Sequence, residues 1–86
     1  MKIKSGYVVR PVGDAFVALP TGDVDGFNGM IKLNGVAKFL WDFFLEEHSR
    51  EEAVEALLAE YEVTRERATH DVDVFADKLC EGGVAQ

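Results

Sequence analysis

Met30-Ile31-Lys32-Leu33-Asn34-Gly35-Val36-Ala37-Lys38-Phe39-Leu40-Trp41-Asp42-Phe43 contains the change of period that decides the fold. Up to Leu33 the chain alternates. Ile31 and Leu33 fall on one face of an extended strand, and Met30 and Lys32 fall on the other. Ile31 and Leu33 are the expected core face. From Asn34 the spacing becomes helical, with Val36, Phe39, Leu40 and Phe43 at i, i+3, i+4 and i+7. Asn34 is a good N-cap, so the pattern predicts a helix from about Gly35 to Glu47. Trp41, Phe44 and Leu45 add apolar surface outside that stripe. A tryptophan there belongs to the core or to an interface, and Phe44 with Leu45 leaves open a homodimer patch or burial against the preceding loop.

Upstream of this junction the chain is β-rich. Tyr7-Val8-Val9-Arg10-Pro11-Val12 and Ala15-Phe16-Val17-Ala18-Leu19 are two strands joined by the turn signal Gly13-Asp14. Pro11 has no N–H for a ladder, which places it at a sheet edge or strand end. Thr21 to Gly29 reads as a loop, with Asn28-Gly29 a tight turn. Downstream the chain is helical. Ser49-Arg50-Glu51-Glu52 is a capping box for a second helix ending near Glu60, with Ala53, Val54, Leu57, Leu58 and Tyr61 on its buried side. Thr64 caps a third helix with Ala68, Val72, Phe75 and Leu79 on one face, and Gly82-Gly83 ends it. Three strands followed by three helices predict an α+β fold, winged-helix-like, with an N-terminal three-stranded antiparallel sheet.

With 86 residues, the chain is expected to be a single domain spanning 1–86. A chain of this length buries about 60–65% of its unfolded surface, which suffices for one core but not for a roomy enclosed active site. Apolar residues make up 48% and charged residues 29%, so the chain is globular rather than disordered. Its one cysteine excludes an internal disulfide framework and a Cys-rich zinc module. There is no apolar run of spanning length and no secretory signal, so the expectation is a cytoplasmic protein. Net charge is −7, and it is lopsided: residues 1–38 carry five Lys/Arg against three Asp, and residues 39–86 carry four against thirteen Asp/Glu. Such an acidic half repels phosphate backbones and anionic membranes, which speaks against nucleic acid and membrane as partners. A peptide or protein partner fits better.

Phe27-Asn28-Gly29-Met30-Ile31-Lys32-Leu33-Asn34, followed by Ala37-Lys38-Phe39-Leu40-Trp41-Asp42, resembles the PqqD family, named after protein D of pyrroloquinoline-quinone biosynthesis. The strand ending in Leu-Asn and leading into a helix with an apolar-Trp pair carries most of the likeness. The capped acidic second helix and the third helix with Val72, Phe75 and Leu79 also fit. One departure is Gly35-Val36, where the family often has Glu-Thr. The resemblance implies a non-catalytic module that binds the leader of a ribosomally made precursor peptide and presents it to a modifying enzyme, often a radical-SAM maturase. It implies no cofactor. It further implies that the leader adds as a strand along Gly29, Met30, Ile31, Lys32 and Leu33, in a groove against the third helix near Asp71, Val74, Phe75 and Lys78. Because the family serves many peptide products, synthesis of the quinone itself does not follow.

Each of these features also has a plainer reading. Met30–Leu33 fits a merely structural strand, and Lys32 fits a charge guarding an edge. Arg67, Asp71, Val74 and Lys78 share one flank of the third helix, but the sequence does not say whether that flank faces the third strand. His48, His70 and Cys80 are the only residues that invite thoughts of catalysis or metal. His70 and Cys80 lie about 280° apart around the helix, and no nucleophile–base pair or metal-ligand spacing is legible. All three are expected to be solvated, and the chain is expected to be no enzyme. Two other classes remain as alternatives: a winged-helix DNA-binding regulator, disfavoured by the acidic helices, and a scaffold that binds only a partner enzyme or itself.

Overall fold

The computed structural model describes residues 1–21 and 31–85. Its elements run β1 (Tyr7–Val12), β2 (Ala15–Pro20), β3 (Ile31–Leu33), α1 (Gly35–Phe43), α2 (Arg50–Glu60) and α3 (Arg65–Glu81). This is the expected α+β order. The Asn28-Gly29 turn and Met30 lie outside the described residues.

The three strands form one antiparallel sheet in the order β1-β2-β3, with β2 in the centre. Gly13 has φ 61° and Asp14 does not share a positive φ, the pattern of a two-residue II′ connection. Pro11 sits in β1, at the sheet edge, paired in register with Phe16. β3 pairs with β2 so that Ile31 lies opposite Ala18 and Leu33 opposite Phe16. Period two then buries Ile31, Leu33 and Ala18 against the helices. Lys32, opposite Val17, points to the other face and is exposed.

α1 packs on β2 and β3 at the inner face of this sheet, and α2 and α3 pack on each other and complete the same core. α1 begins where expected: Asn34 caps it by accepting a hydrogen bond from the Ala37 N–H at 2.8 Å. It ends at Phe43 rather than near Glu47. The reason is tertiary. The N-terminal segment takes over the backbone groups that further turns would need, with the Ile3 N–H donating to the Phe44 carbonyl at 2.8 Å and the His48 N–H to the Met1 carbonyl at 3.2 Å. Ile3 itself is buried and forms a bridge with Ala85.

The core face of α1 also differs from the expected stripe. Leu40, Trp41 and Phe44 are the buried residues, whereas Val36, Phe39 and Phe43 are only half-buried. Apolar residues wrap most of this helix, so its own pattern does not choose a face. The choice comes from packing: the Trp41 ring meets the Tyr7 ring edge-on at 5.8 Å, and Phe39 meets Tyr61 at 5.7 Å. Trp41 is therefore core, at 2% exposure, and of the Phe44–Leu45 pair only Leu45 remains open.

α2 and α3 match their expected spans. In the capping box the Ser49 N–H donates to Glu52 Oε1 at 2.8 Å and the Glu52 N–H donates to Ser49 Oγ at 3.1 Å. Thr64 caps α3 through the Arg67 N–H. Gly83, at φ 73°, closes α3, with its own N–H donating to the Cys80 carbonyl and the Val84 N–H to the Leu79 carbonyl, a Schellman pattern. Arg50 joins the two helices by bonding Asp73 at 3.2 Å and Asp77 at 2.8 Å. Ala68, Val72, Phe75, Ala76 and Leu79 form the buried face of α3.

Two expectations follow from this packing. Trp41→Ala removes the largest fully buried side chain and should cost ~3–5 kcal/mol in urea unfolding; an unchanged midpoint would show that the ring is not core. Ser49→Ala should cost about 0.5–2 kcal/mol by loss of the cap. The Ser49 N–H holds the Glu52 carboxyl below its ordinary value. The Glu52 part of the box is therefore fully present above the ordinary carboxylate range and is lost as pH falls through the lowered value. The stability gap between the wild type and Glu52→Ala should accordingly shrink in acid.

Candidate functional site

β3 has β2 on one side only, and among the described residues no strand lies on its other side. Alternate residues of a strand direct their N–H and C=O groups to opposite edges. One set of β3 backbone groups therefore faces outward without a ladder partner. This open edge borders a groove of about 330 Å³. Ile31, Lys32, Leu33 and the Asn34 cap form one side. The first turns of α1 contribute Val36, Ala37 and Leu40. α3 supplies the opposite wall with Arg67, His70, Asp71, Val74, Phe75 and Lys78.

The open question about the third helix is thereby resolved: the flank bearing Arg67, Asp71, Val74 and Lys78 faces β3. The sequence-derived residues Ile31, Lys32, Leu33, Asp71, Val74, Phe75 and Lys78 are brought together around one groove. Gly29 and Met30, the other two, lie outside the described residues. The walls combine apolar and charged groups. Val74 is 54% exposed despite its apolar side chain, and Phe75 beside it is buried into the core. Asp71 is engaged by Arg67, whose Nε donates to it at 3.3 Å.

Several lining residues were not assigned to a site from sequence. Val36 and Ala37 follow directly from chain continuity, since α1 starts one residue after β3. Leu40 reads as core, and it is both core and groove wall. His70, expected to be solvated, is exposed but lies at the groove margin. Its position one turn from Arg67 and Val74 was the available signal. His48 departs from expectation: it is half-buried and stacks on Phe43 with ring centroids 4.0 Å apart. Cys80 is exposed. Among the described residues there is no group of three or more His, Cys, Asp or Glu placed to hold a metal ion, and no helix is long and apolar enough to cross a membrane.

The same architecture occurs in two solved structures. One, described as TbiB1 in complex with the TbiA(beta) leader peptide, is 27% identical; the match covers 100% of this chain and 95% of that one, with a TM-score of 0.77. The other, lasso peptide synthetase B1 complexed with the leader peptide, is 25% identical; the match covers 99% of this chain and 95% of that one, with a TM-score of 0.74. No curated protein sequence matches the chain. The described part of the groove and the helix junction beside it fall within residues 12–85, the stretch that matches the family described as Coenzyme PQQ synthesis protein D (PqqD), and the chain accordingly belongs to the PqqD family.

Proposed function

We propose that this protein binds the leader of a ribosomally made precursor peptide and presents it to a modifying enzyme, such as a radical-SAM maturase, without catalysing a reaction itself. The whole chain acts as one recognition domain. The observation that carries this reading is the coincidence of an open strand edge with a groove wall of mixed apolar and charged side chains. Membership of the PqqD family and likeness to two leader-peptide complexes support it.

The leader adds antiparallel to Ile31, Lys32 and Leu33, and to Gly29 and Met30 as the chain approaches β3. Main-chain pairing supplies affinity that is tolerant of sequence, so side-chain contacts with Val74, Phe75, Asp71 and Lys78 supply selectivity. Ordering a flexible peptide opposes binding, which sets affinity on the order of micromolar or tighter by a decade or two. The DNA-binding alternative finds no support: α3, RERATHDVDVFADKLCE, carries more acidic than basic residues. A homodimer through Phe44 and Leu45 has little behind it, because Phe44 is fully buried.

The direct test is titration with the leader of a precursor encoded near this gene, followed by backbone amide shifts. Shifts should appear at residues 31–33 and along the 67–78 flank. Shifts confined to α2, with 31–33 untouched, would falsify strand addition. Val74→Glu, at an exposed position, should leave folding intact and weaken leader binding by about 1–2 kcal/mol.

A further inference from the structure

The groove is a cationic part of an acidic protein, as is the N-terminal surface that carries Lys2 and Lys4. Its described lining holds three of the chain's nine Lys/Arg (Lys32, Arg67 and Lys78) but only one of the sixteen Asp/Glu, Asp71. The formal balance there is +2 on a chain of −7.

Two of these cations, like Lys2, Lys4 and Arg10 outside the groove, carry no ion pair among the described residues, whereas the remaining cations do. Lys38 is paired with Asp42, Arg50 with Asp73 and Asp77, and Arg65 with Glu55. Lys32 and Lys78 have no carboxylate partner among the described residues. Arg67 spends its Nε on Asp71, which leaves the terminal guanidinium nitrogens available and neutralises the one groove carboxylate.

Resting on the reading that an extended peptide pairs with β3, we propose that the groove selects an acidic peptide segment: carboxylates set against Lys32, Lys78 and the outer end of Arg67, flanking an apolar side chain seated between Val74 and Phe75. The geometry constrains the pattern. Arg67 and Lys78 are eleven positions apart on one helix, roughly 16 Å along its axis, which about five residues of extended chain span. Val74 and Phe75 lie between them. Lys32 stands on the opposite face of β3 from Ile31 and Leu33, so it meets the side chains of the added strand that point away from α3, as a cross-strand neighbour. A carboxylate opposite Lys32 and one beside Lys78 therefore occupy opposite faces of the peptide and are separated by an odd number of positions. At physiological ionic strength screening acts over about 8 Å, so a carboxylate in the groove responds to these neighbours rather than to the chain's overall negative charge.

The test uses the intact chain and a displayed library of random peptides. Peptides enriched by the wild type should carry Asp or Glu on both sides of an apolar residue. They should lose that bias when the target is Lys32→Gln/Lys78→Gln, both changes at exposed positions. In a selected peptide, each Glu→Gln change should weaken binding by up to roughly fivefold. That difference should collapse near 1 M salt, where the screening length is about 3 Å. Selected peptides that shift the amides of residues 31–33 but are neutral or basic, and that bind the double variant equally well, would overturn the acidic preference and leave strand addition standing. If no peptide is enriched, or if the selected ones shift only α2, both readings fall.

Discussion

The register between β2 and β3 is the constraint on which the rest of this structure depends. Placing Ala18 opposite Ile31 and Phe16 opposite Leu33 turns both β3 side chains into the core. A slip of one residue would put Lys32 inside and expose both apolar residues, an outcome the buried face forbids. With the register fixed, the backbone edge of β3 must lie along the rim of the core, and α1 must leave from that rim one residue later. The groove is thus a by-product of how the core closes. Its floor and walls share Leu33, Leu40 and Phe75 with the hydrophobic interior, so the shape of the groove and the stability of the core draw on the same residues.

Much of this was legible in the sequence because local signals agreed with the tertiary result. The alternation around Lys32, the Asn34, Ser49 and Thr64 caps, and the double glycine after Glu81 each mark a boundary that the structure keeps. The stripe on α3 was legible because polar residues clearly interrupt it. α1 was harder. Val36, Phe39, Leu40, Trp41, Phe43 and Phe44 crowd a nine-residue helix and its cap, and a helix apolar on most sides has no unique inward face. Its early end was invisible for a related reason, because it depends on Ile3 and Met1, more than forty residues away in the chain.

The candidate site was legible in composition but not in geometry. Helical periodicity puts Arg67, Asp71, Val74 and Lys78 on one flank, and no one-dimensional pattern can say which side of the buried stripe approaches a strand far upstream in the chain. That choice is made by long-range packing of α3 against α2 and α1. Charge segregation was legible only as a difference between halves of the chain. Its finer form, a few cations gathered around one groove of an acidic domain, emerges when Lys32 from the β half faces Arg67 and Lys78 from the acidic half.

The sheet's two edges have unequal fates. β1 lies on the side away from the groove and contains Pro11, a residue that edge strands tolerate where its missing N–H faces outward. β3, the open side, spans Ile31–Leu33 among the described residues. Runaway pairing of sheets, the route to fibres, needs long regular edges that copies can extend one after another. Here the β1 edge is blunted by proline, which interrupts serial pairing of copies through that side of the sheet. A sheet with a proline on its far edge can leave the β3 side open with less risk that copies of itself stack edge to edge.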